Sequence, residues 1–285
     1  MAGDTSRREW MQRAAGGAVV LAAPWPLRAG APFRLGLTPV FLDNDPVIME
    51  RLQGAIEAAM ERPIELVQRR TYQDVTGLLL EGSIDAAWLC GYPYLQHRDR
   101  LALLAVPVWR GRPLYRSYLI AGRGDDAAGL DDLRGATHAF SDIDSNSGYL
   151  VTASDLARRG EAVEAFFGQT IFTYGHRNVV RAVAGGLVRS GSVDGYVWET
   201  LAALEPALAG RTRVVARSEW MGFPPFCALG GRAGEDELRA ALLGLPGTEA
   251  GRAALALLQL DRLAGGEPAL FDGIARRMRD LGGLR

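Results

Sequence analysis

The densest run of chemically capable side chains is Asp142-Ile143-Asp144-Ser145-Asn146-Ser147-Gly148-Tyr149. It follows a short apolar run, Thr137 to Phe140, and precedes apolar residues at helical spacing (Leu150, Ala153, Leu156, Ala157). A strand, a loop of small hydroxyl residues and then a helix is an arrangement that receives an anion. The first N–H groups of a helix lack internal partners, and the helix dipole places partial positive charge there. Ser145 and Ser147 add hydroxyl donors, and Gly148 lets the backbone come close. An ordinary N-cap, with Ser145 or Ser147 holding the helix start, is the competing reading.

Further candidates come from the ends of other apolar runs. Thr38 follows the run Phe33 to Leu37, and Cys90-Gly91-Tyr92-Pro93-Tyr94 follows Ile84 to Leu89. His176 follows 170–174, and Tyr196 and Glu199 lie near the end of 193–198. Together these would line a pocket for a small polar ligand without assembling a catalytic set: no Ser-His-carboxylate spacing stands out. Each also has a plainer role. His176 could cap a helix, Tyr92 and Tyr94 could be core or rim aromatics, and Cys90 could be a buried apolar residue. Asp85 and Asp194 read as turn-fixing residues.

Composition narrows the chemistry. The chain has 285 residues, 48% of them apolar, and a net charge of −1, which argues against a nucleic-acid partner held by bulk positive charge. All 32 basic residues are Arg, so Schiff-base lysine chemistry and a P-loop lysine are excluded. Three His and two Cys without metal-ligand spacing make a zinc site improbable. No cofactor is expected.

The elements that must position these residues can be read along the chain. Residues 1–31 resemble a twin-arginine-type signal peptide: Ser6-Arg7-Arg8-Glu9-Trp10-Met11, an uncharged stretch from Ala14 to Leu27, then small residues. That predicts a periplasmic protein, where Cys90 and Cys227 could form a disulfide. Strand 33–37, helix 47–61, strand 63–67, a helix opened by the capping box Thr71-Tyr72-Gln73-Asp74, and strand 84–90 give a β-α-β-α-β order and so a parallel α/β sheet. The run 137–198 repeats it, and Gly82-Ser83-Ile84-Asp85 is echoed by Gly191-Ser192-Val193-Asp194. Two lobes are therefore expected, 32–121 with 222–285 and 122–221, joined by two crossovers, with strand C-termini facing a shared cleft.

At this point the residues resemble the phosphate/phosphite/phosphonate-binding branch of ABC-transporter periplasmic solute-binding proteins. The likeness rests on Gly36-Leu37-Thr38-Pro39, Thr71-Tyr72-Gln73-Asp74, Gly82 to Trp88, Tyr115-Arg116-Ser117-Tyr118-Leu119-Ile120, the Ser-x-Ser-Gly-Tyr loop, the His176 region and Leu260-Asp261-Arg262-Leu263. It implies a type II periplasmic-binding-protein fold: α/β, two-lobed, closing on its ligand. It implies that Ser145, Asn146 and Ser147, Tyr94 or Tyr92, and His176 hold the oxyanion, with Glu199 the nearest acid for a ligand amine. Asn146 stands where the family usually has a hydroxyl. The resemblance further implies a non-enzymatic, monomeric protein delivering a phosphonate, phosphite or phosphate to an ABC permease. A periplasmic oxyanion sensor, using Cys90 as a soft ligand for arsenite and signalling to a histidine kinase, is the alternative. An enzyme on the same fold is a third.

Overall fold

The structure is a computed structural model that describes residues 31–42 and 45–282. The signal-peptide reading of residues 1–31 falls almost wholly outside the described residues.

The chain opens with β1 (Phe33–Leu37), α1 (Pro46–Met60), β2 (Ile64–Gln68), α2 (Tyr72–Leu80), β3 (Ala86–Trp88), α3 (Gly91–Gln96), β4 (Leu101–Val108) and β5 (Leu114–Tyr115). Local chemistry explains several of these boundaries. Asp45 accepts from Val47 N and Ile48 N to cap α1, Pro46 sits at its first turn, and Ile48, Leu52, Ala55, Ile56 and Met60 form its buried stripe. Thr71 caps α2 by accepting from Asp74 N, as the capping box predicts. β3 is shorter than the expected 84–90, because the chain turns into α3 with Cys90 at its N-cap.

Next come β6 (Ser117–Gly122), β7 (Thr137–Phe140), a π-helical turn (Asn146–Leu150), α4 (Val151–Ala157), α5 (Val163–Phe166), β8 (Gln169–Phe172), α6 (His176–Ala184), β9 (Ser190–Asp194), α7 (Gly195–Leu204), α8 (Pro206–Ala209) and β10 (Thr212–Arg217). The chain returns through β11 (Met221–Gly222) and β12 (Phe226–Leu229). It ends with α9 (Glu235–Gly244), α10 (Glu249–Leu257), β13 (Arg262–Ala264) and α11 (Asp272–Gly282).

Two main sheets result, ordered β13-β4-β12-β3-β1-β2 and β10-β6-β9-β7-β8. Each has three parallel strands in matching order, β3-β1-β2 and β9-β7-β8, flanked by an antiparallel strand, β12 or β6. The repeated design read from the sequence is therefore present in the topology, but its register differs. Gly82-Ser83 precede β3, whereas Gly191-Ser192 lie inside β9, and Tyr196 and Trp198 fall on α7 rather than a strand. The lobe boundary also differs. β6 pairs with β9 and β10, so residues 117–121 belong to the second sheet. The link out passes through β5 and the link back through β11, and these two strands pair with each other at the hinge. In the first lobe Trp88 stacks between Phe41 and Phe226 at 4.5 and 4.7 Å, packing β3 against the loop after β1.

Candidate functional site

The C-terminal ends of the parallel strands in both sheets meet along one seam. From the second lobe come the loop after β7, the start of α6 and the end of β9. From the first come the start of α2 and the Cys90 turn after β3.

The loop is held by its own side chains. Ser145 Oγ accepts from Gly148 N at 3.0 Å, and Leu150 N donates to Ser145 O, closing a wide first turn that runs into α4. The N-cap and cradle readings are thus compatible: Ser145 caps, which leaves Asn146 and Ser147 at the helix start. A Cβ on Gly148 would lie 1.8 Å from Ser141 Oγ, so only glycine fits. Ser117 Oγ donates to Ser147 O at 2.6 Å, fixing the loop on β6.

Around the loop, Asn146 N donates to Cys90 Sγ at 3.3 Å, and Asn146 Nδ2 donates to Tyr115 Oη at 2.8 Å. His176, the first residue of α6, accepts from Asp194 N at Nδ1 (3.1 Å). That assigns the ring proton to Nε2, which lies 3.3 Å from Tyr72 Oη. Tyr72 N, at the start of α2, donates to Asp142 Oδ2 across the seam at 3.1 Å. Arg70 stacks on Tyr174 across the same seam, 4.3 Å from the ring centre.

Apart from Arg70 and Tyr174 at the edge, these side chains are buried, and the electrostatics follow. Burial pushes the His176 pKa down to about 3, so the ring is neutral. Burial raises the Cys90 thiol to about 11, so it is a protonated thiol rather than a nucleophile. The Asp194 carboxyl is raised well above the usual range by desolvation, partly opposed by the N–H groups of Tyr196 and Val197. Burial raises Asp142 as well, opposed by N–H donation from Asp144 and Tyr72. The groups that meet here are hydroxyls, amides, an imidazole, a thiol and two carboxyls, and none is a permanent cation.

Four buried polar atoms in this cluster have no hydrogen-bond partner among the described residues: Ser141 Oγ, Asn146 Oδ1, Ser147 Oγ and Asp194 Oδ2. Buried polar groups are nearly always paired, and leaving one unpaired costs about 1–3 kcal/mol. Four together, beside a helix start, mark a place built to bond something else. Asn146 Oδ1 is an acceptor, and Asp194 Oδ2 accepts when ionised and donates when protonated, so a complementary guest meets groups of both kinds.

Of the residues expected from sequence, Cys90, Ser145, Asn146, Ser147, Gly148 and His176 come together here. The others lie elsewhere. Thr38 donates through N and Oγ1 to Trp88 O, tying the end of β1 to β3. Tyr94 packs on Phe271. Tyr92 and Tyr149 line a separate rim cavity of about 350 Å³ with Gln73, Gln96 and Asp144. Tyr196 donates from its hydroxyl to Leu258 O, and Glu199 accepts from Tyr118 Oη and pairs with Arg110. Cys90 and Cys227, which an exported protein could pair, are both free and buried. Sequence reasoning missed Tyr72, Tyr115 and Ser141; it included Asp142 in the loop without a role and read Asp194 only as a turn residue. The available signal was Tyr72 at the first helical position after the Thr71 cap; Asp194 follows Ser190-Gly191-Ser192-Val193, which carries no apolar strand pattern.

A family profile described as the periplasmic substrate-binding protein of phosphonate ABC transporters matches residues 36–270. Solved structures with the same fold include a binding-protein component of an ABC phosphonate transporter from Pseudomonas aeruginosa, at 19% identity over 90% of each chain with a TM-score of 0.82. PhnD1 from Prochlorococcus marinus, in complex with methylphosphonate, is 16% identical over 89% of this chain and 99% of its own, with a TM-score of 0.77. A histidine kinase sensor domain with similarity to periplasmic binding proteins is 18% identical over 81% and 98%, with a TM-score of 0.57.

Proposed function

The chain belongs to the family of periplasmic substrate-binding proteins of phosphonate ABC transporters, and we propose that it captures a small tetrahedral oxyanion carrying at least one hydrogen-bond donor of its own. A phosphonate or phosphite, singly protonated, is the ligand class we favour. The observation that carries the reading is the set of four unpaired buried polar atoms gathered at the start of the π-turn and α4. Ser147 Oγ supplies an unpaired donor, and the Asn146 amide and His176 Nε2 would exchange Cys90 Sγ and Tyr72 Oη for anionic oxygens of the ligand. Asp194 Oδ2 shares a proton with the ligand, whether that proton arrives on the oxyanion or on the carboxyl. Tyr72 and Tyr115 close the first-lobe side, the place first expected of Tyr92 or Tyr94.

Neutral donors suffice when several converge, because the closed seam excludes water and strengthens each bond. Recognition would proceed by a hinge at β5 and β11, with lobes of about 32–116 plus 218–285 and 117–217 closing over the ligand. The closed protein would deliver it to an ABC permease as a monomer exported by a twin-arginine-type signal, without turnover. The resemblance of PhnD1, solved with methylphosphonate, supports the ligand class.

Calorimetric titration with phosphate, phosphite, methylphosphonate and arsenite tests the proposal. Binding of at least one phosphorus oxyanion is expected. Silence with all of them would sink it, and arsenite binding abolished by Cys90→Ser would favour the sensor alternative.

A further inference from the structure

The C-terminal helix joins the two lobes through one buried arginine. α11 follows β13, a strand of the first sheet, and packs on α3 of that lobe. A Cβ on Gly91, the first residue of α3, would lie 2.6 Å from Ile274 Cδ1, and the ring of Phe271, just before α11, packs at a tilt 4.9 Å from that of Tyr94. Yet Arg277, 4% exposed, turns to the other lobe. Its Nη1 donates to Val151 O (3.1 Å), Ser154 Oγ (2.8 Å) and Asp155 Oδ1 (2.8 Å), all on α4. Its Nε and Nη2 fork onto Glu219 Oε1 and Oε2 at 2.9 and 2.6 Å. Glu219 lies on the return crossover between β10 and β11.

One guanidinium therefore bonds the helix that carries the anion loop, the crossover that must bend for the lobes to part, and a helix rooted in the first lobe. None of its partners is among the groups facing the ligand cluster. A planar bidentate fork on a carboxylate, with the remaining N–H groups satisfied, holds one geometry. Separating α4 from α11 would leave a desolvated arginine with broken bonds.

We infer that Arg277 is a positioning residue that latches the two lobes in the closed arrangement and so sets how long a ligand is retained. The latch acts on the closing equilibrium rather than on ligand contacts. Stabilising the closed form slows release, because release requires opening.

The latch rests on the two-lobe closure proposed above but not on the identity of the ligand, and the test separates the two. Arg277→Met and wild type are compared by small-angle scattering without added ligand, and by stopped-flow release of methylphosphonate. The latch predicts a larger radius of gyration for the variant and release accelerated about tenfold or more, the loss of one charge-assisted bond, with association changed far less. If wild type does not bind methylphosphonate, the ligand proposal fails and the scattering comparison alone decides the latch. If Arg277→Met does not fold, Glu219→Gln, altering a half-exposed partner, carries the same comparison. Unchanged scattering and unchanged release, whatever happens to the melting temperature, would reduce Arg277 to a structural residue and overturn the inference.

Discussion

Replacing Asp194 by Asn tests the shared proton directly. Asp194 Oδ1 caps α7 by accepting from Tyr196 N (2.8 Å) and Val197 N (3.4 Å), and Oδ2 is buried without a partner. Asn keeps the capping oxygen, so the cost to stability is small, a few tenths of a kcal/mol to about 1. At Oδ2 it places an N–H₂ group, which donates but cannot accept. In the wild type, ligand and carboxyl together must carry one proton, since two charges facing each other in a dry site repel strongly. Above the ligand's second pKa and the free carboxyl's pKa, that proton has to be taken up on binding. Each pH unit then costs about 1.4 kcal/mol, so Kd rises tenfold per unit. The Asn variant donates permanently and can bind the fully ionised oxyanion. Its Kd becomes flat over the same alkaline range, and it crosses below the wild-type value at high pH. Calorimetry with methylphosphonate from pH 6 to 9, in buffers of different ionisation enthalpy, reads both affinity and protons taken up. Equal slopes and equal proton uptake for the two proteins would refute the shared proton.

Other consequences follow from the same geometry. Gly148→Ala must displace Ser141 and the loop, because the new Cβ would sit 1.8 Å from Ser141 Oγ; binding should become undetectable by calorimetry while circular dichroism still reports a folded protein. Ser147→Ala removes an unpaired donor and should weaken binding about 10- to 150-fold, the worth of a hydrogen bond to a charged group, whereas Tyr94→Phe should leave Kd within about twofold. His138, fully buried between Ser190 Oγ (2.8 Å) and Ser192 Oγ (2.9 Å), has its pKa lowered from 6.5 to about 3 by burial. The unfolded chain binds that proton first, so the stabilisation is complete above pH 6.5 and is lost as pH falls towards 3, by up to about 1.4 kcal/mol per unit. Denaturant titrations between pH 6 and 4 should therefore show a shallower acid loss for His138→Gln than for wild type.

The anion loop was legible because its information is local: hydroxyls, a glycine and a helix start lie within five residues. Tyr72 and Asp194 were not, because their roles depend on what the other lobe places opposite them. Tyr72 reads as the first residue of a capped helix, and only closure brings Asp142 and His176 to it. The error at β9 has a definite cause. Gly191-Ser192 looks like a turn, but small residues are needed there because a Cβ on Gly191 would lie 2.5 Å from Val179 Cγ1, and Ser192 Oγ bonds His138. Gly195-Tyr196-Val197-Trp198 looks like a strand, yet the Asp194 cap starts a helix, and capping outweighs β-propensity. With the strand read at 193–198 Glu199 falls at its cleft end, whereas in the structure Asp194 ends β9 and Glu199 faces Tyr118 and Arg110.

A crystal structure of the protein with methylphosphonate bound tests the central claim most directly. Phosphonate oxygens are expected within hydrogen-bonding distance of Ser147 Oγ, His176 Nε2 and Asp194 Oδ2, with the methyl group towards Tyr72 or Tyr115. Phosphonate in the rim cavity beside Tyr92 and Tyr149, with Ser147 and Asp194 still unpaired, would contradict it.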